Sequence, residues 1–354
     1  MGEFGVLCHS NGFVGFSVYN QASGNQFTVG DGESILDAAL RQGHIFPYSC
    51  RDGLCSTCKA DLVSGNVDYG QYQEQALNTQ EIAAGKVLLC QARPLADVVI
   101  QANEIAAATN IEIRILPCRV TRLHKLTHDV MAIDLKLPQD QQLAYLAGQY
   151  IDILLRDGRR RSFSLATAPG AAQLQLHVRH VPQGRFTGHV FNSMRERDLL
   201  RFQGPLGTFF LRENSERPIV MMGGGTGFAP LKSMIEDAFE GGVTRDIHLF
   251  WGVRAKRDLY LHELAQSWTQ VPTFRYTPVL SEPVADDQWS GATGWVHEAV
   301  INAYPNLDEH EVYASGPPPM IEAGKLAFAA HGLDRDRLFF DSFEFSNDPI
   351  AAAN

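Results

Sequence analysis

The sequence predicts a multidomain α+β and α/β protein: a β-grasp module, then an antiparallel six-stranded β-barrel, then a parallel, doubly wound domain. Three observations lead there. The 354 residues exceed what one ordinary hydrophobic core organises, so two or three domains are expected. Four patterned cysteines sit in the first hundred residues among short strand-like runs. From about Asn214 the pattern changes from short strands and turns to apolar strands alternating with helices. The expected divisions are 1–104 for the first domain, 105–110 for a linker, 111–213 for the barrel and 214–354 for the last domain.

Composition narrows the function. An apolar fraction of 45% and a charged fraction of 20% suit a soluble globular chain without low-complexity tracts. The formal charge of −10 argues against nucleic acid, which is bound by clustered Lys and Arg. Up to Glu104, five Lys/Arg stand against eleven Asp/Glu, a net of −6; that acidic excess could dock a basic protein or simply be solvated. The N-terminus lacks a basic region followed by an apolar run, and no apolar stretch approaches about 18 residues. A cytoplasmic protein away from membranes is expected.

In the first domain, GESILDAALRQG reads as a short amphipathic helix with Ile35, Leu36, Ala39 and Leu40 on one side and Gly43 as its stop. The runs FGVLC, QFTV, KADLV and DVVIQA supply β-grasp strands. Cys50, Cys55 and Cys58 follow the spacing C-x4-C-x2-C, and Cys90 comes after a gap of 31 residues. That is the spacing of plant-type 2Fe-2S ligands. Three thiolates can come from one loop only if the chain wraps tightly, and Gly53, Ser56 and Thr57 are small enough to allow it. A disulfide scaffold is disfavoured in the cytoplasm, and structural zinc usually takes paired C-x2-C ligands. Cys8 and Cys118 fall outside the pattern and read as ordinary small thiols.

The second domain opens with the strand-like segments IEIRILPCRVTRL, VMAIDLKL, QYIDILL, RSFSLA and QLQLHVRHV, whose number suggests a closed antiparallel barrel. Arg161-Ser162-Phe163-Ser164 ends one such strand. Val178 and Arg179 end another, ahead of a turn through Gly184, Arg185, Phe186 and Thr187 that opens a helix; free N–H groups at a helix start bind phosphate. His177, His180 and His189 are too irregularly spaced, and too far from carboxylates, to suggest a metal site.

In the third domain the strand candidates are PIVMM, DIHLFWG, FRYTPVL and EVYAS. The first runs into Gly223-Gly224-Gly225-Thr226-Gly227-Phe228-Ala229-Pro230 and the helical LKSMIEDAFEG. Such glycines let a pyrophosphate approach the backbone at a helix start, with Thr226 in reach of ribose, nicotinamide or flavin. The string is not G-x-G-x-x-G, and the second strand ends in Trp251-Gly252-Val253-Arg254 rather than in an acidic ribose ligand. Arg254 and Arg257 could meet adenosine phosphates or be solvated.

Together these motifs resemble the reductase components of bacterial aromatic-ring dioxygenases of the benzoate, naphthalene and terephthalate type, and the similarly built CDP-4-keto-6-deoxyglucose reductases. The resemblance runs over nearly the whole chain and implies a 2Fe-2S ferredoxin, an FAD-binding barrel and an NAD-binding domain. It implies that Arg161 holds the FAD pyrophosphate together with Gly184 to Thr187, that Phe163 lies against the flavin, and that Ser164 sits near flavin N5. The family usually carries Tyr where Phe163 stands, so its phenol is absent here. Ser315-Gly316-Pro317-Pro318-Pro319-Met320 resembles the family's Cys-Gly-Pro-x-x-Met, with Ser315 replacing the cysteine near the nicotinamide. Phe343 stands where relatives carry an aromatic over the second flavin face. Thr226, Ser164, Ser315 and Phe343 are thus the expected catalytic positions; Val178, Arg179, Gly224, Gly225, Gly227, Arg254, Gly316 and Pro317 are further cofactor contacts. Ser281-Glu282-Pro283 occupies the place of an NADPH-binding arginine, which favours NADH.

The implied activity carries electrons from NADH through FAD and the cluster to a partner oxygenase or intermediary ferredoxin, by transient contact at the Cys50 to Cys58 loop, with the chain a monomer. A sugar-dehydrase partner, a diiron monooxygenase partner and a non-enzymatic redox-sensing role are the alternatives.

Overall fold

The computed structural model describes residues 15–108 and 111–344. Cys8, the FGVLC run and the last residues lie outside them. The chain forms two compact units, 1–110 and 111–354.

The first unit is a five-stranded sheet ordered β2-β1-β7-β3-β5, beside a short β4-β6 pair. Its strands are β1 (Phe16–Asn20), β2 (Gln26–Val29), β3 (Lys59–Ser64), β4 (Val67–Asp68), β5 (Lys86–Leu88), β6 (Arg93–Pro94) and β7 (Val98–Gln101). Helix α1 (Ile35–Arg41) starts at Ser34, whose hydroxyl accepts from the Asp37 N–H, and it buries Ile35, Leu36, Ala38 and Ala39. Gly43 follows at φ +82°, the left-handed geometry that ends helices. Helix α2 (Thr79–Ala83) is fixed by a capping box between Asn78 and Glu81.

The second unit holds two sheets. Strands β8 (Arg114–Lys125), β9 (Val130–Lys136), β10 (Tyr150–Leu154), β11 (Arg160–Ser164), β12 (Leu174–Arg179) and β13 (Leu199–Leu206) form an antiparallel sheet ordered β11-β10-β13-β8-β9-β12. An antiparallel bridge between Leu165 and Leu176 joins its two edges and closes the barrel. Its interior is filled by Leu116, Val120, Ile133, Ile151, Leu176 and Phe202, and Cys118 is among these core residues, its thiol pushed up to about 12 by burial. Helix α3 (Arg185–Asn192) follows β12.

The last six strands are parallel: β14 (Ile219–Gly224), β15 (Ile247–Val253), β16 (Phe274–Leu280), β17 (Ala292–Thr293), β18 (Glu311–Gly316) and β19 (Leu338–Ser342), ordered β17-β16-β15-β14-β18-β19. The order reverses between β14 and β18. Helices α4 (Phe228–Glu240), α5 (His262–Ser267), α6 (Val296–Ala303) and α7 (Pro318–Ala330) connect them. Because both faces are covered, alternate residues enter two cores: Met221, Leu249 and Trp251 on one side, Val220, Met222 and Phe250 on the other. This explains the unbroken apolar strands in the sequence.

Barrel and parallel sheet share one core, since Ala147 and Phe209 of the barrel join the Met221 and Trp251 cluster. Polar links reinforce it: the buried Lys232 Nζ donates to the Ala166 carbonyl at 2.9 Å and pairs with Glu236 at 2.7 Å. The Ser233 hydroxyl donates to the Thr167 carbonyl at 2.6 Å.

Candidate functional site: a four-thiol loop and a two-sheet cleft

In the first unit the cysteine spacing becomes a sulfur cage. Cys55, Cys58 and Cys90 are buried, Cys50 is half-buried, and all four are free thiols. The Cys50 and Cys55 thiols hydrogen-bond to each other, as do Cys58 and Cys90. Within each pair the acceptor is drawn down, Cys55 to about 7, and the donor, Cys50 or Cys58, is pushed well up, first by that bond and then by burial. Four thiolates cannot share such a pocket without cations, so the donor set fits two ferric or ferrous ions bridged by sulfide. Backbone N–H groups already point at sulfur: Asp52 and Leu54 donate to Cys50 Sγ, and Cys50 donates to Cys55 Sγ, each at 3.4 Å.

The wrap needs left-handed backbone at Arg51, Gly53 and Ser56, with φ between +63° and +74°. At Gly53 a side chain would also meet the Tyr72 backbone, a Cβ lying 3.1 Å from its Cα. Several supports were not visible in the sequence. Arg51 pairs with Asp37 of α1 at 2.7 Å, tying the loop to the helix. Gln91, next to Cys90, donates to the Arg51 carbonyl at 3.2 Å. Both contacts join residues far apart in the chain, which no local pattern signals.

In the second unit the barrel and the parallel sheet bring two sets of expected residues together. From the barrel come the end of β11 and the end of β12. Ser164 is buried, and its hydroxyl donates to Asp341 Oδ2 at 3.1 Å. Phe163 is half-buried and meets Phe186 at 5.4 Å between ring centroids, which joins the strand end to the start of α3. That helix begins at Gly184 with no side-chain cap, so its first N–H groups are open to an anionic ligand. Thr187 is turned back onto Val181, accepting from its N–H at 3.1 Å. Arg161 is half-buried and donates to the Arg160 carbonyl at 2.7 Å. Arg185 is exposed and lies 3.7 Å from Asp157. Val178 is fully buried in the barrel core, and Arg179 is held by Asp129 at 2.9 Å.

From the parallel sheet come the carboxyl ends of β14 and β18, where the strand order reverses; open α/β sheets bind ligands there. Gly223 to Gly227 form a turn interlocked with Ser315-Gly316-Pro317. A Cβ on Gly224 would lie 2.9 Å from Pro317, and one on Gly227 would run into the Ser315 carbonyl. Gly225 takes the left-handed conformation at φ +55°, where a Cβ would sit 3.2 Å from the Arg179 guanidinium. The turn therefore needs glycine for close approach as much as for any ligand. Thr226 is half-buried beside it.

Ser315 is fully buried, and its hydroxyl has no hydrogen-bond partner among the described residues. In the β18–β19 ladder it lies opposite Asp341, the carboxylate that accepts from Ser164. Phe343 follows β19 and donates its N–H to the Gly316 carbonyl at 2.9 Å. Ser164, Asp341, Ser315, Gly225 and Phe343 thus converge on the end of the parallel sheet that faces the barrel. Asp341 was missed in the sequence, where it is one acid in LFFDSFEF. Arg254 is exposed at the end of β15, its carbonyl accepting from the Glu282 N–H at 2.8 Å, and Arg257 is exposed as well.

Three family models match the chain in the same order: a 2Fe-2S iron-sulfur cluster binding domain over residues 18–95, an oxidoreductase FAD-binding domain over 117–211 and an oxidoreductase NAD-binding domain over 221–325. Among curated proteins, the CDP-6-deoxy-L-threo-D-glycero-4-hexulose-3-dehydrase reductase of Yersinia pestis is 40% identical over 91% of this chain and 96% of its own length. The reductase component of a Pseudomonas phenol 2-monooxygenase is 35% identical over 95% and 96%. Among solved structures, a cytochrome P450 reductase from Amycolatopsis superposes with a TM-score of 0.78 at 34% identity, covering 93% of this chain and 98% of that one. The chain is therefore an oxidoreductase and belongs to the family of iron-sulfur flavoprotein reductases that carry a 2Fe-2S domain, an FAD-binding domain and an NAD-binding domain on one polypeptide.

Proposed function

We propose that this chain takes electrons from NADH and hands them singly to a separate acceptor protein, an oxygenase or a related iron enzyme. The observation that carries the proposal is the convergence of Ser164 with Asp341, Ser315 and the Gly225 turn, where a nicotinamide and a flavin would meet. When bound, FAD accepts hydride from nicotinamide and the 2Fe-2S cluster carries one electron at a time. The chain's own part is placement. Arg161 and the open start of α3 hold phosphate, Phe163 offers a flat apolar face, and Ser164 is oriented by Asp341. The Gly223 to Gly227 turn takes the dinucleotide, and Phe343 covers the flavin. No acid or base on the protein is needed for hydride transfer, so the cleft works by positioning and by excluding water. Glu282 stands where it would repel a 2′-phosphate, which favours NADH. Cys50, Cys55, Cys58 and Cys90 hold the cluster, and the acceptor touches the Cys50 to Cys58 loop briefly. A monomer acting in the cytoplasm suits the composition, and no helix among the described residues is long and apolar enough to cross a membrane.

A second acceptor has specific support: two dehydrase reductases of Yersinia share 40% identity with this chain, above the 34% of a terephthalate dioxygenase reductase component from Comamonas. Stopped-flow mixing of the NADH-reduced protein with a Rieske oxygenase, a diiron hydroxylase or a pyridoxamine-dependent sugar dehydrase separates the readings. Fast reoxidation by one of the oxygenases supports the proposal. Reoxidation by the dehydrase alone would replace the acceptor and leave the reductase chemistry intact.

A further inference from the structure

Gly225 presents its carbonyl to two donors. One is the Phe228 N–H at the start of α4. The other is the indole Nε1–H of Trp251, at 2.9 Å. Trp251 is fully buried and lies one strand away on β15, opposite Gly223 in the ladder. Its ring is stacked on Phe228 at 4.0 Å with an 11° interplanar angle, and the edge contact to Tyr260 is 5.0 Å. Tyr260 is fixed from the barrel. Asp134 can only accept, so Gln175 turns its NH2 to it at 2.8 Å and its carbonyl to His177 Nε2–H at 3.0 Å. His177 Nδ1 is then left to accept from the Tyr260 hydroxyl at 3.1 Å.

The peptide joining Gly225 to Thr226 is planar and trans, so its C=O and N–H point in opposite directions. An indole that holds the carbonyl on one side turns the Thr226 N–H to the other. Flipping that peptide would turn ψ of Gly225 and φ of Thr226, and Gly225, having no Cβ, puts no side-chain barrier in the way. Resting on the reading of this turn as a nicotinamide dinucleotide site, we propose that Trp251 is a positioning residue for NADH: its buried indole N–H locks the Gly225 to Thr226 peptide with the Thr226 N–H directed at the dinucleotide. A Trp at the end of β15 thereby does for this turn what an interior cap does for a helix, and stacking alone would not supply it.

The test compares W251F, which keeps a ring and loses the N–H, with Y260F, which loses the His177 bond and leaves the indole in place, both in the FAD- and cluster-loaded protein. NAD+ affinity is measured by isothermal titration, alongside KM and kcat for NADH with ferricyanide. One hydrogen bond predicts that W251F weakens NAD+ binding and raises KM about fivefold to tenfold with kcat within about twofold, whereas Y260F leaves both unchanged and lowers Tm. Unchanged affinity in W251F, or an equal loss in Y260F, overturns the proposal. If W251F does not fold, 15N-indole spectra of the unaltered protein decide: a buried indole N–H should shift on NAD+ addition, and its failure to move overturns the proposal as well. An unaltered holoprotein that binds NAD+ nowhere and is not reduced by NADH would overturn the reductase reading itself.

Discussion

At the level of single residues, the four-cysteine pattern was legible and the contacts that support it were not. Cys50, Cys55 and Cys58 sit in one loop, so their grouping is visible in the sequence directly. Arg51, Gln91 and Asp341 act through contacts with residues remote in sequence, and Trp251 reads as one more apolar strand residue. Cys50→Ser is expected to remove the cluster absorbance while leaving NADH-to-ferricyanide activity largely intact, because the proposed hydride cleft belongs to the other unit; loss of both would contradict the modular arrangement. Ser164→Ala is expected to slow flavin reduction by about tenfold or more in stopped flow with little change in NAD+ affinity, since the hydroxyl positions rather than binds. Equal losses in rate and affinity would assign Ser164 to binding.

Among elements, the strands with a clear apolar rhythm were found and those without one were not. QFTV matches β2 residue for residue, and the PIVMM, DIHLFWG, FRYTPVL and EVYAS runs became β14, β15, β16 and β18. Missing from the sequence reading were β1, β4, β5, β6, β13, β17 and β19. The eight residues of β13, LLRFQGPL, show no alternation, because the strand runs through the middle of the barrel sheet between β10 and β8. The two residues of β17 are too few to carry a period, and β19 reads as a helix-neutral LFFDS. The glycine-rich turn was legible as a tight strand-to-helix connection, but its interlock with β18 was not. Gly227→Ala drives a methyl into the Ser315 carbonyl, so it is expected to destabilise the second unit by a few kcal/mol and to abolish NADH reduction; a wild-type Tm and activity would show that the two loops separate easily.

For the whole molecule, the three-part order was readable from the change in strand pattern, whereas the fusion of barrel and parallel sheet into one unit was not. That fusion runs through buried groups such as Lys232 and His177. Burial, aided by the nearby Lys232 and His124 charges, pulls the His177 imidazole down to about 3, and burial pulls His248 down to about 4. Unfolded histidine titrates near 6.5, so between that value and the folded one the unfolded chain binds protons the folded chain refuses. Stability of the second unit should therefore fall as pH drops from about 6.5, by roughly 1.4 kcal/mol per pH unit for each such histidine. His177→Asn should flatten that slope by one proton's worth in urea melts at stepped pH, and an unaltered slope would remove His177 from the account.

An absorption spectrum of the purified protein before and after anaerobic NADH addition, with iron and flavin quantified, shows whether one chain joins a nicotinamide site, a flavin and a four-cysteine cluster in a working electron path. Flavin and cluster bands that bleach with NADH are expected, at about two irons and one FAD per chain. A colourless protein, or one holding zinc in place of iron, would contradict that path and return Cys50, Cys55, Cys58 and Cys90 to a structural role.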